Sequence, residues 1–248
     1  MAGLSERMIF VPATLDSESV DTLASAIESA MQDDAVFSVV LQGSSDTFCR
    51  GLDLDEIASP EPDPGLKQRQ AVADYCRCLG ALRFSDKPTI ALVEGATTGG
   101  GVGLVAACDV VIASDAATFG LPEVLFGFAP AMVLPFLLER VPAHTARIWA
   151  LTGIARPATE AKAQGLVDIV VSSADLLPEL RRWLKSLRRG LRRGVKTIKQ
   201  LSAIMPALDK SAALELGRQS TLAAVCDPAT VTAIRNFKND GVLPWEAL

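Results

Sequence analysis

Three stretches of this 248-residue chain carry residue types that can do chemistry. The first holds Gly95, Gly99, Gly100, Gly101 and Gly103 between two apolar runs, residues 88–93 and 104–107. Consecutive glycines between a strand and a helix leave bare backbone N–H groups at the helix N-terminus, where developing negative charge is stabilised. Such an anion site needs no serine, histidine or metal. The second stretch is Phe48-Cys49-Arg50-Gly51-Leu52-Asp53-Leu54, a glycine-containing turn that follows the β-branched run 36–41. The third, Thr118-Phe119-Gly120-Leu121-Pro122-Glu123, places a carboxylate after a stiff Gly-x-Pro loop. Burial of Glu123 among Phe119, Leu125 and Phe126 would raise its pKa by desolvation, which suits general acid–base work.

Each stretch also has a plainer reading. The glycines can make a tight strand-to-helix crossing and nothing more. Gly101-Val102-Gly103-Leu104-Val105-Ala106 also fits the dinucleotide fingerprint G-x-G-x-x-A, with Glu123 about 20 residues on, but no second mononucleotide half accompanies it. Glu123 can be an exposed loop residue or a first-turn helix residue. What favours chemistry is the pairing of the two turns. Successive parallel strands put both at one sheet edge, where two N–H groups can converge on one oxygen as an oxyanion hole.

The elements that must position these groups are legible in outline. Residues 8–11 form a short strand, and Asp16 caps a helix carrying Leu23, Ile27 and Met31 at helical spacing. Residues 36–41 form a strand, 60–65 a loop, 66–82 a helix, 88–93 a strand and 110–113 another strand. From about residue 131 the chain reads as helical, with a short strand at 167–171. Alternating strands and helices predict an α/β fold with a parallel sheet. The expected division is a core over residues 1–190 and a helical region over 191–248 that covers the site or makes a subunit contact.

Composition bounds the partners. Apolar residues make up 49% and aromatic residues 5%, so the core is aliphatic. A net charge of −5 argues against nucleic acid. Five scattered cysteines and one histidine, His144, give no zinc-type spacing and no disulfide framework, so no metal is expected. No apolar run is long enough to span a bilayer, and a cytoplasmic location without membrane contact is expected. Lys87 reads as a loop charge, Asp109 as a capping residue, and Cys49 as a thiol with nothing nearby to lower its pKa. Nine cations lie between Arg181 and Lys199. They form either a solvated helical face or, through Arg188, Arg189, Arg192 and Arg193, a docking patch for an acidic carrier or a phosphate.

Taken together, five motifs resemble one family. They are F-C-x-G-x-D-L from Phe48, G-x-x-x-G-G-G-x-G from Gly95, C-D-x-x-x-A from Cys108, F-G-x-P-E from Phe119, and L-T-G-x-x-x-x-A-x-x-A-x-x-x-G-L-V-D from Leu151. Their order and spacing are similar to those of the crotonase superfamily of enoyl-CoA hydratases and isomerases, over residues 16–245. The stretch from Phe119 to Leu137, Asp227-Pro228, Ile234-Arg235-x-Phe237 and the ending Pro244-Trp245-Glu246 look like the dehydratases of polyketide β-branching cassettes.

The resemblance implies a spiral of repeated ββα units with a helical C-terminal region, in a homotrimer or a dimer of trimers. It implies oxyanion N–H groups at Leu52 and Gly100, and an acid–base carboxylate at Glu123. Arg50, Gly99 and Gly103 would touch substrate, with Arg50 facing a distal carboxylate, although a plain surface role for Arg50 stays open. The expected substrate is 3-hydroxy-3-methylglutaryl, held on the phosphopantetheine of an acyl carrier protein or on CoA, with no other cofactor. Loss of water would give 3-methylglutaconyl. Two departures matter. A second hydratase glutamate would stand at residue 103, which is glycine, and a single strand precedes the first helix where the family has a hairpin. Other crotonase chemistry (hydratase, isomerase or decarboxylase) and a non-catalytic scaffold are the alternatives.

Overall fold

The computed structural model describes residues 5–58 and 64–243. The chain begins β1 (Ser5–Phe10), α1 (Ser17–Gln32), β2 (Val36–Gln42), β3 (Thr47–Cys49), α2 (Leu54–Ala58), α3 (Pro64–Phe84), β4 (Thr89–Val93), β5 (Ala96–Thr98) and α4 (Gly100–Ala107). It continues β6 (Val110–Ser114), β7 (Thr118–Gly120), a 3₁₀ turn at Pro122–Phe126, α5 (Leu134–Arg140), α6 (Ala143–Thr152), β8 (Arg156–Pro157), α7 (Ala158–Ala163) and β9 (Ile169–Val171). Four further helices follow among the described residues: α8 (Leu176–Leu187), α9 (Arg192–Ile204), α10 (Lys210–Cys226) and α11 (Pro228–Asp240).

Two sheets organise the molecule. The larger runs β1-β2-β4-β6-β9, parallel throughout, and the smaller runs β3-β5-β7-β8. Three successive ββ units (β2–β3, β4–β5 and β6–β7) each send their first strand to the larger sheet and their second to the smaller one. This repetition is the expected spiral, and it stacks the segments that follow β3, β5 and β7 at one edge. Sequence reading finds the larger sheet and misses the smaller. Strands of three residues are too short to show an alternating pattern, and β5 lies within the segment read as a glycine turn. The pairing of β7 with β8 is antiparallel, an exception to the parallel expectation.

The larger sheet is buried on both faces, so its strands are apolar at successive positions. Val39, Leu41, Ala91, Val93, Val111 and Ala113 face the main core with α1, α3 and α4. Their neighbours Val40, Ile90, Leu92, Val110 and Ile112 face α8, which supplies Leu176, Leu180 and Leu184. Each buried leucine contributes about 1.5–3 kcal/mol to holding α8 in place. Asp16 does cap α1: its carboxylate accepts from Ser19 N–H at 2.7 Å and its own N–H donates to Ser19 Oγ at 3.0 Å.

Several charges turn out to be internal. Lys87 is fully buried rather than a loop charge, because its ammonium donates to the carbonyls of Ala30 and Asp33 at the end of α1. Burial lowers its pKa. Lys199, counted in the basic run, is also buried. It donates to Leu82 O, Lys87 O, Ser85 Oγ and Asp109 Oδ2, tying α9 to the core. Asp109 in turn accepts from both Thr89 N–H and Thr89 Oγ1. Asp168 accepts from Val111 N–H and pairs with Arg140 at 2.6 Å. The aspartates of the C-D and L-V-D motifs are therefore fold-holding groups. The helix expected at 66–82 begins earlier, at Pro64, and the strand expected at 167–171 is shortened to β9. Residues 60–63 of the expected loop, and Pro244-Trp245-Glu246, lie outside the described residues.

Candidate active site

Gly51 brings the two turns together. Its φ of +81° is a conformation side chains rarely adopt, and a Cβ there would stand 2.7 Å from the backbone nitrogen of Gly100. Leu15 N–H donates to Gly51 O and Asp53 N–H donates to Leu15 O, so the backbone on either side of Leu52 is pinned. The N–H of Leu52 itself has no acceptor among the described residues, and neither does that of Gly100, the first residue of α4. Both residues line one cleft with Glu123. An oxyanion hole is built from donors of this kind, fixed and without a protein acceptor.

The cleft has two lobes that share Leu52, Gly100, Glu123 and Phe128. The outer lobe, about 430 Å³, is polar at its mouth, where Arg50, Asp53, Asp55 and Thr98 stand. The inner lobe, about 240 Å³, is lined by Leu15, Val72, Met132 and Val133, with Tyr75 as its other polar side chain. Arg50 is exposed and forms no ion pair among the described residues. It is the cation of the cleft, and the inner lobe contains none.

Glu123 is 7% exposed, and its Oε2 has no hydrogen-bond partner among the described residues. Desolvation raises its pKa. Of the expected neighbours, Phe119 is buried, whereas Leu125 and Phe126 are largely exposed along the outer lobe. Backbone closes over the carboxylate, since a Cβ on Gly99 would lie 3.2 Å from Glu123 Oε1. Gly99, at φ +53°, leaves that approach open.

Residue 103 lies inside α4, as does residue 101, so the apparent dinucleotide fingerprint is a helical segment and not a phosphate-binding turn. A side chain at 103 would overlap the Tyr75 hydroxyl, which donates to Gly100 O at 2.6 Å. Sequence reading did not single out Tyr75. It lies in the middle of α3, 25 residues from the glycine turn it touches, and no local pattern marks it.

The remaining candidates lie elsewhere. His144 is exposed at the start of α6, beside Arg147, and does not line the cleft. The Cys49 thiol is buried and pushed up to about 12 by desolvation, so it is no nucleophile. Arg188 pairs with Glu6, Arg192 with Asp34 and Asp86, and Arg193 with Asp227. Arg189 has no acidic partner among the described residues. Glu6, Asp34 and Asp86 stand at the N-terminal ends of β1, β2 and β4, whereas the glycine turns follow the C-terminal ends of β3 and β5. Among the described residues no group of three or more His, Cys, Asp or Glu side chains is placed to hold a metal ion.

The sequence model of the family described as enoyl-CoA hydratase/isomerase matches residues 11–227. The chain belongs to that family. It is therefore a crotonase-fold enzyme of the hydratase and dehydratase class. Bacillaene synthase dehydratase PksH of Bacillus subtilis (strain 168) is 34% identical over 209 residues, covering 84% of this chain and 79% of that protein. Mevalonyl-coenzyme A hydratase sidH of Aspergillus fumigatus is 38% identical over 152 residues, covering 58% of this chain and 52% of that one. Pseudomonas aeruginosa AtuE superposes with a TM-score of 0.88 at 28% identity, over 97% of this chain and 96% of that one. Human enoyl Coenzyme A hydratase domain-containing protein 3 shares the fold, with a TM-score of 0.86 over 95% of this chain and 94% of that one at 24% identity.

Proposed function

We propose that this enzyme dehydrates a 3-hydroxyacyl thioester, specifically 3-hydroxy-3-methylglutaryl on an acyl carrier protein, giving 3-methylglutaconyl during polyketide β-branching. The observation that carries the reading is one buried carboxylate, Glu123, beside two backbone donors with no acceptor among the described residues, with no second carboxylate at residue 103. The likeness to PksH, a dehydratase by name, supports the polyketide context.

The thioester carbonyl lies between the N–H groups of Leu52 and Gly100. Glu123 takes the C2 proton, and the bonding pair moves into the enolate, whose oxygen gains charge against the two donors. Loss of one such donor typically raises a barrier by ~2.7–4 kcal/mol. The enolate then re-forms the carbonyl, C2 and C3 become doubly bonded, and the C3–O bond breaks. Glu123 returns its proton to the departing hydroxyl, so water leaves and the carboxylate is regenerated. A raised pKa fits a group that must both take and give a proton. The distal carboxylate of the substrate meets Arg50 at the cleft mouth, because the inner lobe offers no cation.

A non-catalytic scaffold is disfavoured by Glu123 itself, since burying an ionisable group without a partner costs stability that a purely structural role would not retain. A role for Arg188, Arg192 and Arg193 as carrier-docking residues has less support than their ion pairs within the fold. The exposed apolar side chains of α10 and α11, Leu214, Leu222, Ile234 and Phe237, fit contacts in a homotrimer or a dimer of trimers.

Incubation with 3-hydroxy-3-methylglutaryl carrier protein and with the CoA ester, followed by intact mass, tests the assignment. Loss of one water, faster on the carrier, is the expected result. Loss of carbon dioxide from a glutaconyl species would make the enzyme a decarboxylase, and no turnover of either thioester would leave the scaffold.

A further inference from the structure

In the two-glutamate hydratases that the sequence resembles, a second carboxylate extends from residue 103. Here the same space is filled from a different helix. Tyr75 reaches in from α3, and its hydroxyl occupies the position that a side chain on Gly103 would take. The ring is buried, its ζ carbon packs against Gly100, and its hydroxyl lines the inner lobe with Glu123. The single proton of the hydroxyl is committed to Gly100 O at 2.6 Å. Its lone pairs are not used by any hydrogen bond among the described residues, and Tyr75 lines the inner lobe.

We propose that the Tyr75 hydroxyl takes the place of the missing carboxylate by holding the leaving C3 hydroxyl of the substrate. The inference rests on the dehydratase reading and assigns a residue to its second half. The substrate O–H donates to Tyr75 Oη, while Tyr75 O–H stays on Gly100 O. This pairing turns a lone pair of the leaving oxygen toward Glu123. When the C3–O bond breaks, the bonding pair goes to oxygen, the proton comes from Glu123, and water departs. Tyr75 keeps its proton throughout. That agrees with its burial and with the nearby Glu123 charge, both of which push the phenol well above its ordinary pKa. The same hydrogen bond fixes the peptide that follows Gly100, so one phenol links the leaving-group subsite to the helix bearing an oxyanion donor.

Two reactions separate this role from a merely structural one. Removing the C2 proton from 3-methylglutaryl carrier protein, which has no C3 hydroxyl, needs only the two N–H donors and Glu123. It is read as deuterium uptake from heavy water. Dehydration of the 3-hydroxy substrate needs the leaving-group contact as well. Tyr75→Phe is expected to lower the ratio of dehydration to exchange by about 10–10²-fold, the usual cost of letting a reacting group drift from its productive orientation. The loss should fall on kcat rather than KM. Gly103→Ala, which pushes a methyl group into the place of the hydroxyl while leaving Tyr75 in the chain, is expected to lower the same ratio. An unchanged ratio in both variants overturns the proposal. So does loss of exchange and dehydration together in both, since that makes Tyr75 a support of the fold alone. If the wild-type enzyme performs neither reaction, the dehydratase reading itself fails, and this inference fails with it.

Discussion

At the scale of residues, the site is built around one carboxylate held where water would normally compete for it. Glu123 has backbone on one side and an apolar lobe on the other, and burial raises its pKa. As the base it must be ionised, so kcat/KM should fall on the acid side at a pH above the ordinary glutamate range. Replacing it by glutamine should abolish that limb, which a pH–rate profile on the carrier-bound substrate would show. The same shift acts on stability with a definite sign. A carboxyl whose folded pKa is raised favours the folded state at low pH, and that contribution is lost as pH rises from the unfolded value through the folded one. The thermal midpoint of Glu123→Gln should therefore gain on that of the wild type as pH is raised through this window. Equal midpoints at every pH would contradict the burial argument. Glu123 was legible in the sequence because F-G-x-P-E is contiguous. Tyr75 was not, because its meaning depends on the absence of a side chain at 103, and only three-dimensional proximity joins the two.

At the scale of elements, the function depends on how closely two turns approach. Gly51→Ala would force a side chain into a left-handed conformation and against Gly100 N, at a cost of about 1–2 kcal/mol from the backbone alone. Activity should fall by more than a comparable loss of stability elsewhere would cause, because the variant shifts the Gly100 N–H, the proposed oxyanion donor. Side-by-side melting curves and initial rates would check this. The attachment of α9 is a second such element. Lys199→Met removes an ammonium with four acceptors, one of them Asp109. About 3 kcal/mol of stability should be lost, since the aspartate is left without its cation. A denaturation midpoint within error of the wild type would contradict the reading. The larger sheet was legible because its strands are continuous apolar runs. The smaller sheet, whose strands lead into both glycine turns, was hidden in segments of two or three residues. Lys87 and Lys199 were misread for a related reason: a lysine in a polar stretch looks solvated until the carbonyls that surround it are known.

At the scale of the whole molecule, the C-terminal helices leave apolar surface uncovered in a single chain. A groove of about 1090 Å³ runs between α9, α10 and α11, lined by Ile198, Ile204, Ile234 and Phe237 among others. Surfaces of this kind mark contacts between chains. Sedimentation of the wild-type protein should give the mass of a trimer or of two trimers, and Ile234→Glu with Phe237→Glu should reduce it to a smaller species. A wild-type monomer would contradict the assignment. No helix of the described residues is long and apolar enough to cross a membrane. The proposed function is a property of the whole arrangement, in which strands of the smaller sheet from three repeats bring Leu52, Gly100 and Glu123 to one cleft. Whether Glu123 alone moves the proton is decided by the rate of water loss from 3-hydroxy-3-methylglutaryl carrier protein, followed by intact mass in wild type and in Glu123→Gln. Dehydration by the wild type is expected, with a rate about 10²–10⁴-fold slower in a folded variant, the usual worth of acid–base catalysis. A variant that dehydrates at close to the wild-type rate would contradict it.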